Sequence, residues 1–209
     1  NFFNEDIHLL FYFLFLLIIF FVFLNFENNF SELFLSLTSS ISNVGFSLNN
    51  SSSNLSFVFL ILVIIGGSFF STSSGIRFLK IYSLFKYSIN EILSYSRPKN
   101  IYINKHLFSK DTFKLDEIYK YFLSVIVFII SLLILTFLLT LSGIDFESSF
   151  KLSILTIMNT VNSSMFGLAD FSFYDLHFIT KYYLIFFMII GRLELLTLLI
   201  ICKKFLFKN

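Results

Sequence analysis

The 209-residue sequence has no tryptophan, one proline, one cysteine and seven glycines, and only 13% of its residues are charged. A typical soluble domain carries roughly 25% charged residues, so an ordinary water-facing surface is excluded. The lone Cys202 rules out a disulfide framework and a cysteine metal site; beside Lys203 and Lys204 it reads as an inert thiol. With the single proline at position 98, nothing but glycine interrupts the chain from Asn54 to Arg97. No H-E-x-x-H, G-x-S-x-G or paired catalytic aspartate motif occurs, which leaves an enzyme the poorest of the function classes. The phosphate-loop spacing G-x-x-x-x-G-K-[ST] is missing too. His8, His106 and His177 lie on three separate connections without metal-ligand spacing. Neither an organic cofactor nor a nucleic-acid partner is expected.

What is present is apolar. Hydrophobic residues make up 56% of the chain and the mean hydropathy is +0.84. The 33 phenylalanines, with abundant Ile, Asn and Lys, read as the codon bias of an AT-rich genome, so no single Phe carries functional weight. Runs at 9 to 24, 121 to 141 and 178 to 201 approach or reach the ~20 apolar residues that cross a bilayer core. The sequence therefore reads as an integral membrane protein in contact with lipid. It starts at Asn1, without a charged n-region and cleavage site before the first span, and is expected to be part of a longer polypeptide.

Charge is distributed unevenly. Nine basic residues from Arg77 to Lys120 occupy the central connection and its flanks, and Lys203, Lys204 and Lys208 occupy the C-terminus. The connections at 25 to 32, 142 to 151 and 168 to 177 are mostly acidic. By the positive-inside rule the basic segments are cytoplasmic and the acidic ones face outward, a multi-pass topology for a bacterial inner membrane. Each half of the chain then needs two crossings. Between them lies a weakly apolar stretch, 30 to 41 or 147 to 158, too short to cross and expected to be a re-entrant half-helix.

The halves repeat. LSL at 35 to 37 lies 117 positions before LSI at 152 to 154, and the same offset lays SNVGFS (42 to 47) on NTVNSS (159 to 164). The expected fold is all-α, with two tandem span, pore-helix, span units. Unit one (1 to 97) holds a span at 7 to 25, a pore helix at 30 to 41, a filter at 42 to 47 and a second span at 55 to 96. A basic linker covers 98 to 117. Unit two (118 to 209) holds a span at 118 to 141, a pore helix at 147 to 158, a filter at 159 to 165 and a span at 178 to 203.

The polar stretch TSSISNVGFSLNNSSS (38 to 53) fits this plan. Non-helical backbone at membrane depth is tolerated only where protein buries it or water reaches it. A half-helix followed by a polar strand with one glycine can line a pore with carbonyls that replace an ion's hydration shell. Gly45 would supply the backbone angles. Ser42, Asn43, Val44 and Gly45, with Thr160, Val161, Asn162 and Ser163 by the repeat, are the expected cation ligands. An unbroken helix over 54 to 97 would extend about 66 Å, twice the hydrocarbon thickness. Gly66, Gly67, Ser71, Thr72, Ser73, Ser74 and Gly75 permit a break in its middle, tolerated where it faces a cavity.

On these residues the chain resembles a family. SNVGFS, IGGSFFSTSSGIRFLKI and, near the end, FMIIGRLELLTLL look like the second half of the membrane subunit of Trk-type potassium uptake systems, in the superfamily of Trk, Ktr and HKT transporters. The similarity covers essentially all 209 residues. It implies four such units around one K⁺ or Na⁺ pathway, this chain supplying the third and fourth and thus half of a pseudo-fourfold channel. It also implies channel-like conduction or symport, a homodimer, a cytoplasmic ring of nucleotide-binding regulatory subunits, and first-half pore units elsewhere. Residues 66 to 75 match the family's intramembrane gating loop. They depart from it in carrying Phe69 and Phe70, with Ser73 and Ser74 where glycine is common. Asn162 stands where the fourth filter's glycine is expected; asparagine enters the left-handed region more readily than most residues.

Arg192 lies about 22 Å of helix below His177 and about 16 Å above Lys203, within the hydrocarbon zone. A charge there faces a cavity or a partner. Glu194, two residues on, points around the other side of the helix and is not the direct partner. The resemblance implies that Arg192 projects into the pore near the gating loop. A non-conducting assembly subunit of the same fold is the competing expectation, motivated by the missing glycines.

Overall fold

The structure, a computed structural model, describes residues 10–18, 21, 30–46, 53–66, 76–95, 115–160, 164–168, 171–174 and 176–192. Helix α1 covers 10–18. Then follow α2 (Phe30–Ile41), α3 (Ser53–Ile64), the two-residue strands β1 (Ile65–Gly66) and β2 (Ile76–Arg77), α4 (Phe78–Ser94), α5 (Leu115–Leu141), α6 (Phe146–Met158), a 3₁₀ turn (Ser164–Phe166) and α7 (Phe178–Arg192).

Among the described residues one helical stretch is long and apolar enough to cross a membrane, Ile118–Leu141 in α5. Its buried residues Phe128, Leu132, Leu135 and Leu139 recur at helical spacing, while Ile130, Leu133, Ile134 and Phe137 stay exposed on the other side. An exposed apolar face of this kind suits lipid and not water. The tight connection 142–145 reverses the chain; Gly143 adopts φ 87°, and the Ile144 amide donates to the Leu139 carbonyl at 3.4 Å. Helix α6 returns antiparallel along α5, where the Thr136 and Ser153 hydroxyls meet at 2.8 Å. With 13 residues against 27, α6 is about 20 Å long and stops halfway along its about 40 Å neighbour.

Helix α7 runs beside α6 with its buried seam at Thr180, Leu184 and Phe187, the four-then-three spacing of a helix that packs along one line. The core is continuous across both halves of the sequence. Leu37 of α2 and Phe59, Leu60 and Val63 of α3 share one cluster with Leu155 and Met158 of α6 and Phe187 of α7.

The break in the first half has a definite base. Strands β1 and β2 pair in parallel, Ile65 opposite Ile76 and Gly66 opposite Arg77. The chain therefore leaves at Gly66 and returns at Ile76 at the same level and heading the same way. In an unbroken helix the eleven steps from Ile65 to its partner Ile76 would advance about 16 Å. Helix α4 then continues onward, and Lys80 Nζ donates to Ser124 Oγ of α5 at 3.4 Å.

Candidate functional site

The short helices α2 and α6 end alike. Asn43 follows α2 at φ 57° and Asn159 follows α6 at φ 54°, both in the left-handed region that asparagine enters more readily than most residues. In each case the next amide reaches five residues back: Val44 N–H to the Ser39 carbonyl at 3.0 Å and Thr160 N–H to the Leu155 carbonyl at 2.9 Å. These long bonds satisfy carbonyls that a helix end leaves over. The two caps are 116 positions apart, one fewer than the offset of the sequence matches. By backbone geometry Asn43 corresponds to Asn159, and Val44 to Thr160.

Of the expected filter residues in the first unit, Ser42 and Val44 are exposed and Asn43 and Gly45 are buried. Gly45 adopts φ 81°, where a side chain would be strained. In the second unit Thr160 is buried, while Val161, Asn162 and Ser163 lie outside the described residues. Two hydroxyls at these helix ends, Ser39 Oγ and Thr160 Oγ1, are buried with no hydrogen-bond partner among the described residues. Buried polar groups in that state call for a ligand or water.

The chain after Thr160 is not polar throughout. Met165 and Phe166, in the 3₁₀ turn, are 0% exposed, and Ser40 Oγ of α2 donates to Met165 Sδ at 3.8 Å. The expected filter ran through residue 165; its far end packs as hydrophobic core, because Met and Phe gain more from the α3 face than from a polar path. Gly167 turns the chain away at φ 70°. A Cβ at Gly167 would lie 3.2 Å from Lys151 Nζ. Lys151 is 14% exposed and bonds Glu147 at 2.5 Å, one turn earlier on α6.

Among the expected gating residues, Gly66 sits in β1 at the base of the break, and Gly67, Ser71, Thr72 and Gly75 lie outside the described residues, as do Phe69 and Phe70. Arg192 is the last described residue of α7. Its side chain is exposed, and no described carboxylate is bonded to it. Directly before it, Gly191 touches the end of α6: a Cβ there would overlap the Ile157 carbonyl. Asn159 Nδ2 also donates to the Met188 carbonyl of α7 at 3.0 Å.

Sequence reasoning placed Asn159 at the start of the expected filter without a role of its own, and missed Gly191 and Lys151. Gly191 belongs to the quoted GRLE but shows no need for a missing side chain until its neighbour is known. The Glu147 to Lys151 spacing was a visible i, i+4 pair.

One short helix, α6, stops halfway along the longer apolar α5, and both lie in one helical core. No family model matches the chain, and no curated protein matches it. Among solved structures it is similar to the crystal structure of the potassium transporter TrkH from Vibrio parahaemolyticus, with a TM-score of 0.78 at 21% identity. The likeness covers 95% of this chain and 43% of that one. The chain thus has a TrkH-like fold and spans less than half the length of that transporter.

Proposed function

We propose that this chain forms part of a potassium uptake pathway in a cell membrane, with Na⁺ as the competing ion. The observation that carries the reading is the likeness of fold to a potassium transporter over 95% of the chain. The paired caps at Asn43 and Asn159 and the buried hydroxyls of Ser39 and Thr160, without a hydrogen-bond partner among the described residues, support it. Both helix ends carry partial negative charge from their dipoles, which favours a cation just beyond them. In this reading α2 and α6 are re-entrant pore helices in two tandem units. Ser42 to Gly45 and Thr160 to Ser163 offer carbonyls to the ion.

The excursion between β1 and β2, with Gly66, Gly67, Ser71, Thr72 and Gly75, acts as the gating loop, and Arg192 opposes cation passage when the gate is closed. Repulsion between a guanidinium and a permeating cation about 4 Å away is worth about 4 kcal/mol at an effective dielectric of 20. The basic central connection and C-terminus are cytoplasmic. Two further units, a second copy of the protein and a cytoplasmic nucleotide-binding ring complete the assembly.

A second reading, a non-conducting subunit of the same fold, is favoured by one observation: the burial of Met165, the last residue of the expected second filter, and of Phe166 just after it. Growth of uptake-deficient cells at low external K⁺ separates the two. Expression of the complete protein restores growth if it conducts and leaves the cells starved if it does not.

A further inference from the structure

Among the described residues, the end of α6 meets α7 around Met188 to Arg192. Asn159 Nδ2 donates to the Met188 carbonyl at 3.0 Å. In a helix that runs through Arg192, that carbonyl also accepts the amide of residue 192, four positions on. The Asn159 side chain therefore lands on the hydrogen bond that holds the Arg192 backbone. Gly191 lies against the Ile157 carbonyl with no space for a methyl group, and its Cβ position is 3.1 Å from Asn159 Nδ2. Apolar packing explains neither contact, since Gly191 has no side chain and Asn159 contributes an amide.

We infer that Asn159 and Gly191 are positioning residues that hold the Arg192 turn against the carbonyl end of α6. The inference rests on the gate proposed above and deepens it. Thr160, the first expected cation ligand of the second unit, is the residue after Asn159. The same asparagine thus closes α6, begins the polar segment and grips the turn that bears the fixed positive charge. A shift of α7 away from α6 must break the Asn159 bond, and a cation drawn to the α6 end meets Arg192 at a set place.

Asn159→Gly is the informative variant, because glycine keeps the left-handed backbone without strain and removes only the amide. Radioactive rubidium flux per inserted molecule is measured in vesicles holding the complete protein, for the wild type, Arg192→Ala, Asn159→Gly and the double variant. Thermal stability is measured alongside. Asn159→Gly should raise basal flux about fivefold, the effect of one hydrogen bond on a two-state equilibrium. It should add almost nothing once Arg192 is alanine. A merely structural role would lower stability equally in both backgrounds and give the same fold-change in flux in both, which overturns the inference. Should Arg192→Ala raise flux and Asn159→Gly leave it at the wild-type level, the inference falls and the gate stands. Should Arg192→Ala itself leave flux unchanged, the gate reading falls and takes the inference with it.

Discussion

Gly45 is one place where the backbone demands a particular residue type. Its φ of 81° costs a residue with a Cβ roughly 1–2 kcal/mol, and aspartate would add a fixed charge beside the expected ion path. Gly45→Asp should abolish uptake at equal membrane abundance; normal rubidium uptake by that variant would remove Gly45 from the pathway. Glu147 tests a quieter claim. The hydrogen bond from Lys151, and then its charge, hold the Glu147 carboxyl below its usual range. A depressed carboxylate contributes stability above its unfolded value and loses it as pH falls through the folded one. Glu147 is 74% exposed, so screening leaves the pair little effect. Glu147→Gln should barely move the melting midpoint at pH 7 and not at all below the carboxylate range. A large drop at neutral pH would mean that the pair is shielded from water. The left-handed residue at the end of α6 was not legible as Asn159. Several Asn and Ser residues follow one another there, and only the bond from Thr160 back to Leu155 fixes which one turns.

At the scale of elements, the short helices were the most legible feature. Each is a weakly apolar stretch between polar connections, and contrast of that kind survives in the sequence alone. The interruption after α3 was legible from its glycines, yet its form was not. A parallel ladder of two residue pairs leaves no periodic signal, since strand alternation needs several residues to register. That ladder ties the ends of the excursion, so shortening it by deleting Phe69 to Ser71 should leave the base in place and raise basal cation flux. Combined with Arg192→Ala, the gain should fall well short of the product of the single gains, because both act on one barrier; a full product would place loop and arginine on separate barriers. The crossing of α6 and α7 makes its own prediction. Gly191→Ala drives a methyl into the Ile157 carbonyl, and overpacking of this kind costs about 1–3 kcal/mol. A lowered melting midpoint is the expected outcome, and an unchanged one would show that the helices part there at no cost.

For the whole molecule, the long apolar run ending at 141 gave away a helical fold early, and the structure forms it as the helix α5. The joining of the two halves did not show, because the contact between α3 and the 3₁₀ turn depends on Met165 and Phe166, two ordinary apolar letters in an apolar sequence. The central claim is that this chain contributes to a cation pathway, and the chain covers only 43% of the transporter it resembles. Its direct test is rubidium flux into vesicles under an inside-negative potential, comparing the complete protein with residues 1 to 209 alone. The complete protein should give saturable uptake that K⁺ competes away, and the 209-residue chain none above protein-free vesicles, since in the proposed reading this chain supplies two of the four strands that surround the ion. Absence of flux from correctly inserted complete protein would contradict the account.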